Sequence, residues 1–77
     1  MDLNIITPDE TVFCGEASLV QMPGLDGLFE VLPHHAPMIA ALGKGRVKAE
    51  ICGKMEYFEI EGGIVEILDD KVLILAE

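Results

Sequence analysis

Short extended runs, each ended by glycine, proline or an Asp pair, follow one another from end to end of this chain. No window of about eleven residues carries the 3.6-residue apolar period of an amphipathic helix. Turn signals recur at intervals of about 8–12 residues, the spacing of an all-β sandwich or barrel rather than of βαβ units. The clearest run is Arg46-Val47-Lys48-Ala49-Glu50-Ile51, in which Arg46, Lys48 and Glu50 face water while Val47, Ala49 and Ile51 face inward. Cys52-Gly53-Lys54 turns it into a returning run over residues 55–61, with Phe58 and Ile60 on one face. Read this way, residues 3–7, 11–14, 16–22, 28–32, 38–42, 46–51, 55–61, 64–68 and 72–76 are extended. Gly15 and Pro23-Gly24 act as breaks, and Asp69-Asp70 is the turn of a last hairpin. Gly62-Gly63 marks a bend or the close approach of another strand. A chain so rich in Ile and Val has to double or close its sheet, because open edges would template aggregation.

The 77 residues make a single domain over 1–77, which buries about 60% of the surface of its unfolded chain. With no tryptophan and one tyrosine, the core is aliphatic, supported by Phe13, Phe29 and Phe58. A formal charge of −9 repels nucleic acid and anionic lipid at long range. Four of the five basic residues lie between Lys44 and Lys54, which reads as a solvated strand face and turn, or as a patch orienting an acidic partner. The N-terminal Met-Asp-Leu-Asn has neither the basic nor the apolar region of a leader, and the longest apolar run, over residues 36–42, is too short for a bilayer. Direct bilayer insertion is therefore not expected. Cys14 and Cys52 lack the spacing of a zinc clip or redox pair and are expected to be buried free thiols in a reducing compartment.

Residues 24–42 hold two of the four prolines and both histidines amid apolar residues that a solvated loop does not need. Pro33 and Pro37 fix φ and force a stiff, extended connection. Leu28, Phe29, Val31 and Leu32 cannot all point into a thin domain, so some face outward; alternation also allows Phe29 and Val31 to share the core side. This is the signature of a docking surface. Chemistry finds less support. His34 and His35, adjacent in an extended segment, point to opposite sides and do not chelate one ion together. Gly43-Lys44-Gly45 lacks the spacing of a phosphate loop, Ser18 is the lone serine, and Glu59 with Glu61 reads as a solvated edge. No catalytic residue, metal or cofactor is assigned.

Four segments, in order and spacing, resemble the N-terminal β-sandwich domain of the epsilon subunit of the rotary ATP synthase. Thr11-Val12-Phe13-Cys14-Gly15-Glu16-Ala17 is similar to that family's V-F-S-G-E-A. The stretch from Asp26-Gly27 to Pro33-His34-His35-Ala36-Pro37-Met38 is similar to E-G-x-L-G-I-L-P-G-H-A-P-L. Gly62-Gly63-Ile64-Val65-Glu66-Ile67 matches S-G-G-x-x-E-V, and Lys71 to Glu77 matches N-K-V-T-V-L-A-D. Glu30 and His34 stand where the family usually has glycine, Glu61 replaces a serine, and Leu28 occupies an often polar position.

The resemblance implies a flattened ten-stranded sandwich of two five-stranded sheets at the foot of the central stalk. It implies a non-catalytic subunit that links the gamma subunit to the membrane rotor ring and couples proton flow to ATP synthesis. Such a subunit lies peripherally on the cytoplasmic face of the bacterial inner membrane. Carried over by motif, the partner-binding residues are Asp26, Leu28, Phe29, Glu30, Val31, Leu32, Pro33, His34, His35, Pro37 and Met38, with His35 at the family's histidine. The chain stops at Glu77, where most relatives continue into a helical hairpin that inhibits hydrolysis and in some binds ATP. The resemblance therefore implies coupling without inhibition, and no nucleotide binding. Two other readings compete: a free-standing β-sandwich adaptor with a changed protein partner, and a small metal-dependent β-barrel enzyme using His34 or His35 with carboxylates.

Overall fold

Nine β-strands and no helix make up the computed structural model, which describes all 77 residues. They are β1 (Asp2–Ile6), β2 (Thr11–Glu16), β3 (Leu19–Gly24), β4 (Gly27–Val31), β5 (Met38–Leu42), β6 (Gly45–Ile51), β7 (Lys54–Ile60), β8 (Gly63–Leu68) and β9 (Lys71–Ala76). They hydrogen-bond along one path, β2-β1-β9-β8-β5-β3-β6-β7, with β4 also paired to β3. All pairs are antiparallel except β1 with β9.

The path has a thin joint. β5 and β3 share one pair, Gly24 with Leu42, flanked by the Gly43 N–H donating to the Pro23 carbonyl at 2.7 Å and Leu25 N–H to Ala41 at 3.2 Å. On one side of it lie β2, β1, β9, β8 and β5, and on the other β4, β3, β6 and β7. The sheet curls at this joint until its two end strands approach: the rings of Phe13 on β2 and Phe58 on β7 stand 5.4 Å apart. Both halves thereby bury their inner faces in one core. Leu3, Ile5, Val65, Ile67, Val72 and Ile74 come from one half and Val20, Met22, Val31, Val47 and Ala49 from the other. Inward and outward positions alternate along the strands, as the two-residue period requires.

The implied count of ten strands in two five-stranded sheets is corrected to nine strands in one continuous curled sheet. The residues themselves offer only nine extended runs. Between β4 and β5, Pro33 and Pro37 remove ladder donors, so that stretch forms no further strand. Two breaks read from the sequence are also absent. Gly15 lies inside β2 opposite Leu3, and its missing side chain makes room for Phe13: a Cβ there would meet Phe13 Cζ at 2.9 Å. Pro23 stays in β3 opposite Leu28, beyond the end of the β6 ladder at Gln21, so no β6 pairing needs its missing N–H there. Both hairpin turns read from the sequence hold. Asp69 and Asp70 (φ 51° and 61°) and Cys52 and Gly53 (φ 52° and 79°) have the paired positive φ values of two-residue turns whose twist matches the strands. That turn carries Cys52 into solvent, and Cys14 sits on the outward side of β2. Both thiols are free and exposed, contrary to the expected burial.

Candidate interaction surface

β4 delivers the proline-rich segment to the surface. Asp26 lies exposed in the β3–β4 turn, Leu28 is 68% exposed and Glu30 faces water, while Phe29 is half-buried against the core. Val31 is fully buried and is corrected from contact residue to core residue: it alternates with exposed Glu30 and pairs with buried Val20. Leu32 is 52% exposed, Pro33, His34 and Pro37 are exposed, and His35 and Met38 are half-buried. The His35 ring meets its neighbour's carbonyl, Nδ1 to the Ala36 oxygen at 2.6 Å. Beside the segment, Leu25, Leu28, Phe29, Met38 and Ile39 line an open groove of about 570 Å³.

His34 adopts a φ of 66°, a left-handed conformation that costs a side-chain-bearing residue about 1–2 kcal/mol. Its backbone N–H donates to Asp70 Oδ1 at 2.8 Å, while Asp70 Oδ2 lies 3.8 Å from the Met1 ammonium. That backbone donor, more than the opposing partial burial, holds the Asp70 carboxyl below its usual range; the Met1 ammonium and His34 act in the same direction. The strain at His34 yields a prediction. His34→Gly keeps the N–H and removes the Cβ clash, so it should stabilise the domain by about 0.5 kcal/mol after the added freedom of the unfolded chain is subtracted. A melting temperature raised by about 2–4 °C is the expected reading, and a lowered one would contradict it.

A second surface, which the sequence reading did not single out, covers the outward side of the first half-sheet. Ala41, Ile64, Leu75 and Ile6 stand side by side across β5, β8, β9 and β1. Two residues along, Ile39 and Leu73 flank Glu66, the one charge in this patch. Ile39 is 71% exposed, and Ile64 and Leu75 about half exposed. A row across four strands is about 14 Å wide at the usual strand spacing, and its apolar surface continues past Ile39 into the groove. The signal was present in the sequence: Val72-Leu73-Ile74-Leu75-Ala76 is apolar at every position, as strands covered on both faces are.

The outward side of the other half-sheet is mostly polar, although Leu19, Leu28 and Met55 also lie on it. Gln21, Glu30, Arg46, Lys48, Glu50, Tyr57 and Glu59 occupy it, with Arg46 opposite Glu59 and its guanidinium 5.0 Å from the Tyr57 ring centre. The cations between Lys44 and Lys54 are thus interleaved with acids, which makes this a solvated face rather than a patch for an acidic partner. No cluster of three or more His, Cys, Asp or Glu side chains is placed to hold a metal.

A small curled all-β domain with one mostly polar and one apolar outer face has the form of a contact scaffold, since contiguous exposed apolar surface is the kind that another surface covers. The comparisons specify the class. The chain belongs to the family of the ATP synthase Delta/Epsilon chain, beta-sandwich domain, whose model matches residues 1–77. It is 45% identical to the ATP synthase epsilon chain of Chlorobium limicola over 97% of this chain and 86% of that one. The epsilon chain of Salinibacter ruber is 42% identical over the whole of this chain, which spans 58% of that longer protein. Among solved structures, a chain of the Euglena gracilis mitochondrial ATP synthase (OSCP/F1/c-ring) superposes with a TM-score of 0.89 at 25% identity, over 96% of this chain and 48% of that one. A chain from the central stalk and c-ring of the Tetrahymena thermophila enzyme superposes with a TM-score of 0.83 at 15% identity, over 97% and 61%, and speaks for the fold alone.

Proposed function

We propose that this chain is a non-catalytic connector in the central stalk of an ATP synthase, joining the gamma subunit to the membrane rotor ring and so helping to couple ion flow to ATP synthesis. The observation that carries the reading is the unpartnered apolar row of Ala41, Ile64, Leu75 and Ile6 on a domain of this family. Permanent partners bury hydrophobic faces of this kind, whereas transient contacts are more polar. We assign the apolar face to the gamma subunit. We assign the surface that runs along β4 and through the segment after it, formed by Asp26, Leu28, Glu30, Leu32, Pro33, His34, His35, Pro37 and Met38, to the ring, with Phe29 shared between groove and core. Val31 supports that surface from below. A rotor contact has to transmit torque, and Pro33 and Pro37 restrict the backbone where the load would enter. On this reading the domain sits peripherally at the membrane through its complex, on the cytoplasmic side in a bacterium, and holds no cofactor or nucleotide of its own.

The test is co-purification with the cognate gamma subunit followed by calorimetry. A one-to-one complex is the expected result. Failure to bind would leave the family and fold in place and remove the stalk assignment.

A further inference from the structure

Residues 32–37 have prolines at two positions and expose most of their side chains, yet they form no strand. Outside the strand ladders, one hydrogen bond ties this segment to the rest of the molecule: the His34 N–H to Asp70 Oδ1, 36 residues away. The other bond in the segment, from the His35 ring to Ala36, is internal to it. Asp70 is itself held firmly. It occupies the second position of the two-residue β8–β9 turn, and its backbone carbonyl accepts the Asp2 N–H at 3.0 Å. The carboxylate therefore projects from a rigid corner of the core half-sheet onto the one backbone donor of the segment with a left-handed φ.

We propose that Asp70 is the positioning residue of the ring-facing loop, latching His34 so that residues 32–37 are presented in one preformed geometry. The proposal rests on the docking role given to that loop above. Two prolines fix φ at their own positions and hold the preceding Leu32 and Ala36 extended, but leave hinges at His34 and His35 in the middle of the segment. A latch at the middle hinge removes the freedom that would otherwise be lost on binding, and this is how preorganisation raises affinity.

Two readouts separate the latch from the docking role. In the isolated domain, the His34 amide proton resonance should move as acid protonates the Asp70 carboxyl, below the usual carboxylate range, and Asp70→Asn, an uncharged acceptor, should abolish that movement. Against a reconstituted gamma subunit and rotor ring, Asp70→Ala should weaken binding about tenfold, the share of a hydrogen bond to a charged group. Asp70→Asn should restore affinity to within about threefold of wild type, since the amide oxygen can still accept. An unmoved His34 resonance overturns the latch. A lost latch with unchanged affinity overturns its positioning role. If the wild-type domain fails to bind while the His34 resonance titrates, the docking reading falls, and the positioning role falls with it.

Discussion

Gly63→Ala is expected to remove about 3–5 kcal/mol of stability, a large share of what a domain of this size has to lose. Gly63 opens β8 with a φ of 146°, a region that residues with side chains rarely enter. It pairs with Leu42 on one side and Ala76 on the other, so it is stitched into the middle of the sheet. A Cβ there would run into the carbonyl oxygen of Leu75 and stand 3.0 Å from the Ala76 Cα. These are backbone atoms, and no side chain can swing away to relieve the contact. β9 would have to separate from β8, yet β9 also carries the parallel ladder to β1. Gly53→Ala is the control: its φ is also positive, at 79°, but a Cβ there meets nothing within 4 Å. It should cost about 1 kcal/mol, the conformational term alone. Urea unfolding of both variants decides the matter. A Gly63→Ala domain within about 1 kcal/mol of the Gly53→Ala control would show that β9 yields easily.

The close approach at Gly62-Gly63 was legible because only glycine tolerates it, and the β6 run and the two hairpin turns were legible from period two and turn chemistry. Gly15 and Pro23 misled because a glycine that makes room for a ring and a proline beyond the end of a ladder read as breaks when the partner strand is unknown. Val31 was left open by alternation: the period places it with Phe29, but not whether that side is inward. The strand count erred where resemblance outran residues, since residues 32–37 offer too few donors for a tenth strand. His34 was legible as a departure from glycine, but its consequence was not. The donor it offers meets an acidic side chain in a turn half the chain away, and such pairing depends on tertiary geometry. The apolar outer face was written plainly in residues 72–76, but an uninterrupted apolar strand suits a core position as well as a covered outer face. Whether a second apolar face is covered by the chain itself or by another chain depends on how the sheet curls.

That face carries the largest expected effect on binding. Ile64 and Leu75 are directly opposite each other on β8 and β9 and about half exposed. Replacing them together, Ile64→Lys with Leu75→Glu, sets an opposite-charge pair across the strands, which keeps the isolated domain within about 1 kcal/mol of wild type. Under a partner the same pair must lose its water, and the desolvation is poorly repaid where the facing surface is apolar. Affinity for the gamma subunit should fall at least about 100-fold, the scale of a central hot spot lost. The counterpart on the polar side, Arg46→Glu with Glu59→Arg, reverses a cross-strand pair without touching the apolar row and should leave binding within about threefold. Calorimetry on both pairs, with melting curves to confirm folding, separates the faces. If the polar-side variant loses affinity and the Ile64 and Leu75 variant keeps it, gamma sits on the opposite face. If both bind as wild type, the contact lies at the loop end alone, and the groove beside Leu25 and Ile39 becomes the surface through which torque enters the domain.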